Sequence, residues 1–324
     1  MKDFNTKNKA VHIYQNTRNG FLLFYTSLDM LVFFTIYCIS AHKHKIRVLG
    51  VCPMMDHLHS AVEAANRQTV SRFVQDYTQR YSRELNKSID DLGPVFNKGF
   101  GCALRKGAKA VRTLLSYVYN NPGEKGLCNR AEEYRWTFLA YAVSNHPFSE
   151  KIVLSKASAA LRKSLKMVDY HFKEGHYLKH SMLDDWFKPL TVKEKNQLTD
   201  YIISTYNVID YQALISYYGN YQSMCTAFAS NQGSEYEIKE EFVPGSYKVF
   251  LKISSVLREF FGFSNIKDVI RSSAYDRSNL FLPLVIASDA KDRQVSKYLR
   301  IKLATEGVMD MTAAMQAVEN VEDA

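Results

Sequence analysis

Two histidines flank one leucine in the segment VCPMMDHLHSAV, residues 51–62. In a β-strand, residues two apart point to the same face, so His57 and His59 would project together while Leu58 enters the opposite, buried side. Two neutral imidazoles on one face of a strand form half of a site for a divalent metal ion. The spacing therefore predicts metal binding, provided that the segment is a strand.

A second segment, LLSYVYNNPGEKGLC at residues 114–128, carries side chains that would complete such a site. Tyr117 and Asn121 are four residues apart, so on a helix a phenol and an amide oxygen lie on the same face. Tyr119 points elsewhere, and the residue four positions after it is Gly123, which has no side chain to bind a metal. This geometry favours Tyr117 as the reactive tyrosine.

The chain carries a clear excess of positive charge. Its 324 residues include 42 Lys and Arg against 33 Asp and Glu, a net charge of +9. The segment from Asn66 to Arg112 holds ten basic and four acidic residues, so its local net charge is +6. Such a segment suits a partner that carries phosphates, although charge alone does not separate DNA, RNA and membrane. A solvated helix face is the alternative for any one of these residues.

The composition is that of a soluble globular protein, with 46% hydrophobic and 23% charged residues. The most apolar run, Met30 to Ile39, is ten residues long, whereas a transmembrane helix needs roughly 20, so the run predicts a buried core helix. The five cysteines are scattered, and the N-terminus lacks the apolar core of a signal peptide. We therefore expect free thiols in a cytoplasmic protein without a membrane partner.

The first half of the chain alternates strand and helix patterns. Residues 10–17 alternate like a strand, residues 26–45 read as a helix, and the β-prone runs IRVLGVCPM and HLHSAVEA follow. From Asn66 apolar residues recur at helical spacing, a glycine-bearing segment with room for another strand comes next, and a last helix covers residues 109–121, stopped by Pro122. This order is the outline of a ferredoxin-like α+β layer.

The second half, residues 149–324, reads as mainly α-helical and is predicted to be an accessory region after a first domain of residues 1–148. Near its end, ASDAKDRQVSKYLRIKL at residues 287–303 resembles the last two helices of a helix-turn-helix. The polar side chains that would enter a major groove are Arg293, Gln294, Lys297 and Arg300. An ordinary amphipathic helix is an equal alternative.

The two motifs together resemble those of a known family. MMDHLHSAV is similar to the histidine-hydrophobe-histidine motif of the single-tyrosine HUH transposases, the IS-two-hundred-like superfamily, and SYVYNNPGEKGL is similar to their catalytic helix. Within them the chain most resembles the REP-associated tyrosine transposases, whose helix reads tyrosine, three residues, asparagine, proline. Other branches carry glutamine where Asn121 stands. The resemblance covers residues 10–145 and depends on both motifs occurring in this order.

The resemblance implies a ferredoxin-like nuclease domain in which Tyr117 is the nucleophile and His57, His59 and Asn121 bind Mg²⁺ or Mn²⁺. It implies single-stranded DNA with hairpin ends as the partner, bound by a monomer or homodimer. The residues expected to hold the DNA backbone are Arg72, Arg80, Arg83, Lys106 and Arg112. A 5′-phosphotyrosine link is rejoined without ATP, which fits a sequence that has no Gly-x-x-x-x-Gly-Lys-Ser/Thr phosphate loop.

Three other functions stay open from the sequence. A non-catalytic DNA-binding regulator would use the second half, with the first domain as a relic. A rolling-circle replication initiator shares the histidine motif but commonly uses a tyrosine pair, and Tyr117 and Tyr119 do not share a helix face. Metal-dependent hydrolysis without a covalent intermediate would survive the substitution Tyr117→Phe.

Overall fold

The computed structural model of the protein describes residues 8–230 and 246–302. The end of the accessory region, from residue 303 onward, lies outside these ranges and includes the last residue of the expected helix-turn-helix segment. All five cysteines are free thiols, as expected. Within the two described ranges, no helix is long and apolar enough to cross a lipid bilayer.

The first half folds around a four-stranded antiparallel sheet. Its strands are β1 (Lys9–Asn16), β2 (Arg47–Met54), β3 (His57–Glu63) and β4 (Gly101–Lys106). Their spatial order is β2-β3-β1-β4. Between β2 and β3 the chain turns at Met55 and Asp56, which fixes the register so that Met54 pairs with His57.

Two helices, α1 (Ser27–Lys43) and α2 (Arg67–Ile89), cover one face of this sheet. Tyr37 of α1 forms a hydrogen bond with Ser60 of β3. Ser60 and Leu58 are two residues apart on β3, so they share a face of the sheet. Since α1 packs against α2, both helices lie on the face that holds Leu58. The βαββαβ order and the order of the strands confirm the expected ferredoxin-like α+β fold.

Side chains at the start of each helix satisfy backbone amides that have no partner inside the helix. Thr26 and Asp29 form a capping box at the start of α1. At the start of α2, the side chain of Asn66 accepts a hydrogen bond from the backbone nitrogen of Thr69 at 2.8 Å. The helix start expected at Asn66 is therefore confirmed.

A third helix, α3 (Ala108–Glu124), crosses the other face of the sheet. The expected stop at Pro122 is wrong, because the helix continues through the proline for two more residues. Pro122 removes one backbone donor, but the next turn is still closed. The nitrogen of Lys125 donates to the Asn121 carbonyl at 3.2 Å, and that of Leu127 donates to the Pro122 carbonyl at 2.9 Å.

The second half is α-helical, as expected. Its helices are α4 (Ala159–Lys173), α5 (His180–Phe187), α6 (Val192–Tyr206), α7 (Tyr211–Ser216), α8 (Tyr221–Ser230), α9 (Lys248–Glu259), α10 (Ile266–Arg271), α11 (Ala274–Asn279), α12 (Phe281–Ser288) and α13 (Asp292–Leu299). α12 and α13 pack together across a short turn in which Asp289 adopts a left-handed conformation. The boundary expected after residue 148 stays a prediction.

A buried carboxylate ties the two halves together. Asp29 of α1 is fully buried and accepts hydrogen bonds from His180 at 2.8 Å and from Lys267 at 2.5 Å. Burial alone would raise the pKa of Asp29, but the charge of Lys267 and the hydrogen bond from His180 lower it below its usual range. Helices α5 and α10 are thereby anchored to α1 through one ionised group.

Candidate active site

His57 and His59 lie on β3 and face α3, as the strand interpretation predicts. Their rings are 4.8 Å apart between centroids. Leu58, between them, is 3% exposed and lies on the other face of the sheet. The spacing of the motif therefore places both imidazoles on one surface, next to the helix that carries the candidate tyrosine.

Tyr117 extends from α3 toward this pair. Its ring centroid lies 5.1 Å from that of His59, in an edge-on arrangement. Asn121, one turn further along α3, is 4% exposed, and its side-chain oxygen has no hydrogen-bond partner among the residues that the structure describes. A buried amide oxygen without a partner is costly unless it binds a ligand.

Tyr119 has a different environment from Tyr117. It is fully buried, its hydroxyl donates to the carbonyl of Leu49 at 3.0 Å, and its ring stacks on Phe228. A Cβ at Gly50 would lie 2.9 Å from the Tyr119 ring, so the glycine permits this close approach. Tyr119 is a core residue of the sheet–helix interface.

His12 of β1 joins the site and was not singled out from the sequence. Its Nε2 lies 3.3 Å from Nδ1 of His59, and its ring contacts that of Tyr117 with centroids 5.6 Å apart. Burial, and then the charge of Arg105, lowers the pKa of His12 to about 3. Burial and nearby positive charges also hold the pKa of His59 well below its usual value. Both rings are therefore neutral near pH 7, the form that binds metals.

Asp56, in the turn before β3, holds His57 in place. Its Oδ1 is 2.7 Å from Nδ1 of His57 and also accepts a hydrogen bond from the hydroxyl of Tyr247, and its Oδ2 is 2.9 Å from the ammonium of Lys297. Burial alone would raise the pKa of Asp56, but the hydrogen bond and charge of His57 and the charge of Lys297 lower it. An ionised carboxylate only accepts, so Nδ1 of His57 donates and Nε2 is the ring atom left to bind a ligand.

The donor set of the site fits a divalent cation. Two imidazoles and an amide oxygen from Asn121 would be its protein ligands, and the unpartnered oxygen of Asn121 is the observation that supports this set. The amide oxygen of Asn121 is needed for this set. Among the described residues, no cluster of three or more His, Cys, Asp or Glu side chains could hold a metal ion without it.

Comparison with known proteins finds a similarity in the first half. Residues 10–121 match the family described as Transposase IS200 like. The matched segment covers about a third of the chain and contains β1 to β4 and most of α3. A solved structure of a REP-associated tyrosine transposase, bound to a REP hairpin, is 12% identical, with a TM-score of 0.34, over 49% of this chain and 96% of that chain. No curated protein matches the chain.

The basic residues expected to hold DNA lie on both faces of the four-stranded sheet. Arg72, Arg80 and Arg83 belong to α2, on the sheet face opposite Tyr117. On that face, Nε of Arg80 donates to Oδ1 of Asp76 at 2.9 Å, and the Arg80 guanidinium lies over the ring of Tyr177. Lys106 at the end of β4 and Arg112 on α3 are exposed and belong to the elements that border the site.

The four side chains expected to enter a major groove have different environments. Arg293 is exposed, whereas the side chain of Gln294 accepts a hydrogen bond from the backbone of Lys291 at 2.9 Å, as part of a cap. Lys297 binds Asp56, and Arg300 donates to the carbonyl of Leu22 at 3.2 Å. Two of the four therefore point into the first half of the chain. The sequence gives no signal for this arrangement, because the partners are more than 200 residues apart.

Proposed function

We propose that this protein is a transposase that cuts and rejoins single-stranded DNA through a covalent link to Tyr117. The observation that carries the proposal is the contact of the Tyr117 ring with His59, within a segment that matches the IS200-like transposase family. The partnerless buried oxygen of Asn121, one helical turn away on the same helix, is the third ligand that we propose. Tyr119, in contrast, donates its hydroxyl to the carbonyl of Leu49 in the core, as a structural tyrosine does.

The proposed chemistry is a transesterification. The phenolate oxygen of Tyr117 attacks phosphorus, an O–P bond to the tyrosine forms, and the bond from phosphorus to the 3′ oxygen breaks. The leaving 3′ oxygen takes a proton and becomes a free hydroxyl, while the 5′ phosphate stays on Tyr117. In the second step a 3′ hydroxyl attacks the phosphotyrosine and releases the tyrosine. The number of phosphodiester-type bonds is conserved, so no ATP is required.

The residues around Tyr117 prepare the site for a divalent cation. His57, His59 and Asn121 would hold Mg²⁺ or Mn²⁺, with Asp56 fixing the orientation of the His57 ring. Such a cation would polarise the scissile phosphate and neutralise charge that develops in the transition state. Burial keeps His59 and His12 uncharged, so these side chains do not repel the metal at neutral pH.

Single-stranded DNA is the proposed substrate because a flexible strand can bring a phosphate to a site built on a sheet and a helix. The net charge of +9 supports a polyanionic partner. The resemblance of the two sequence motifs to the REP-associated tyrosine transposases adds hairpin ends to the proposed substrate. Of the residues expected to hold the DNA backbone, Lys106 and Arg112 lie on β4 and α3, the elements that border the site.

The proposal is tested by nicking assays with 3′-end-labelled single-stranded DNA from the flanks of the gene, because the fragment on the 3′ side of the nick is the one that stays on Tyr117. Wild-type protein with Mg²⁺ or Mn²⁺ is expected to produce a labelled protein band on a denaturing gel, and His57→Ala and Tyr117→Phe are expected to produce none. Salt-sensitive binding without an adduct on any flanking strand would overturn the proposal in favour of a DNA-binding regulator. Cleavage that persists in Tyr117→Phe would establish hydrolysis instead.

A further inference from the structure

We infer that the helical second half supplies two positioning residues, Lys297 and Tyr247, that orient His57 for metal binding by holding Asp56. The inference rests on the proposed function, since it concerns the same metal site. Lys297 belongs to α13 and Tyr247 immediately precedes α9. Both residues lie outside the segment that matches the transposase family, so the second half completes the site that the first half begins.

Three donors converge on the single carboxylate of Asp56. His57 and Tyr247 share Oδ1, and Lys297 binds Oδ2 at 2.9 Å. The hydroxyl of Tyr247 also lies 3.3 Å from Nδ1 of His57. The carboxylate is thus fixed at both oxygens, and its remaining freedom to rotate away from His57 is removed. A histidine ligand whose second nitrogen is held by a carboxylate is oriented and more basic toward a metal.

The ion pair between Lys297 and Asp56 is largely buried. Their side chains are 15% and 9% exposed, so solvent screens their attraction little. Gly20, with a φ of +67°, lies beneath the lysine, and a Cβ there would be 3.2 Å from Cε of Lys297. Removal of the ammonium would leave a buried carboxylate with one charged partner fewer, and we expect it to reorient toward solvent and release His57.

This role differs from insertion into a major groove. While Lys297 binds Asp56, its ammonium faces the first half of the chain. Arg300, which directly follows the same helix, donates hydrogen bonds to Leu22 and Asp91 of that half. The last helix of the described chain is therefore part of the catalytic unit. Substitution of Lys297 should weaken metal binding more than it weakens DNA binding.

The experiment measures Mn²⁺ binding to the full-length, metal-free protein by electron paramagnetic resonance, without DNA. Lys297→Met is expected to weaken Mn²⁺ affinity by about 10- to 100-fold, and Lys297→Arg is expected to restore much of the affinity. Lys252→Met, at an exposed position on α9, is the matched control and should bind Mn²⁺ like the wild type. Tyr247→Phe, which removes only a hydroxyl, should show a smaller decrease and covers the case in which Lys297→Met does not fold.

DNA binding in EDTA separates this role from direct binding of DNA by Lys297. Each variant is titrated with a labelled DNA hairpin, and Lys297→Met is expected to bind it within about twofold of the wild type. Wild-type Mn²⁺ affinity in both Lys297→Met and Tyr247→Phe would overturn the inference, most clearly if hairpin affinity fell in Lys297→Met. Wild-type protein that binds Mn²⁺ tightly but forms no tyrosine adduct would overturn the proposed function and leave this inference standing.

Discussion

Tyr117 and Tyr119 are two residues apart and have different environments, which makes them a matched pair. Tyr117 lies against His59 and His12, while the hydroxyl of Tyr119 binds Leu49 in the core. Their spacing on an ideal helix was enough to predict, from the sequence, that the two tyrosines point in different directions. The same reasoning could not find His12, because its approach to His59 depends on the pairing of strands 47 residues apart.

We expect Tyr117→Phe and Tyr119→Phe to have opposite effects. Tyr117→Phe should abolish the DNA adduct. Tyr119→Phe should keep adduct formation but lower the unfolding free energy by about 1–2 kcal/mol, because the buried Leu49 carbonyl no longer has its donor. Adduct yield and urea denaturation of both variants provide the measurement, and an active Tyr117→Phe would contradict the assignment.

The low pKa of His12 predicts how stability depends on pH. Its pKa is about 3 in the folded protein, against about 6.5 for an ordinary histidine, so below pH 6.5 the unfolded chain binds a proton that the folded chain does not. Stability should therefore fall as the pH is lowered from 7 to 5, by about 2 kcal/mol from His12 alone. Urea denaturation at both pH values should show a smaller decrease in His12→Gln; equal decreases in both proteins would refute this account.

At the scale of elements, the sheet separates two sets of basic residues. Helix α2, which carries most of the residues expected to hold the DNA backbone, lies on the face opposite Tyr117, whereas β4 and α3 border the site. Charge density along the sequence predicted a basic segment that suits a partner carrying phosphates. It could not assign the residues to a face, because that depends on which side of the sheet each helix covers.

The two sets of basic residues should therefore differ in their effect on DNA binding. Lys106→Gln/Arg112→Gln should weaken hairpin binding and reduce the slope of log affinity against log salt by about 0.7 for each phosphate that is no longer neutralised. Arg72→Gln/Arg83→Gln removes the same charge from the opposite face and should change the slope less. Binding isotherms at several salt concentrations decide between them, and a larger effect of the α2 variant would place the DNA on the other face.

At the scale of the whole molecule, buried polar interactions join the two halves of the chain. Asp29 links α1 to α5 and α10, and Asp56 links the site to residues 191 and 241 positions away in the sequence. The α-helical character of the second half could be predicted from its periodicity. Its attachment to the active site could not, since a lone lysine on an amphipathic helix is usually solvated.

The Asp29 anchor should dominate the stability of the assembled chain. Lys267→Met leaves a fully buried carboxylate without its main counter-charge, and we expect the unfolding free energy to fall by about 3–5 kcal/mol. Lys193→Met, which breaks the exposed pair with Glu150, is the matched control and should change stability little. Urea denaturation measures both, and similar small decreases in the two variants would show that Asp29 does not anchor the halves.

The most direct test of the central claim is to locate the covalent link itself. Wild-type protein is trapped on single-stranded DNA with Mn²⁺, digested with nuclease and protease, and analysed by tandem mass spectrometry. We predict a nucleotide 5′-phosphate on the peptide that contains Tyr117, with fragment ions that place it on this tyrosine rather than on Tyr119. A phosphate on any other residue, or cleaved DNA with no modified peptide, would contradict the proposed mechanism.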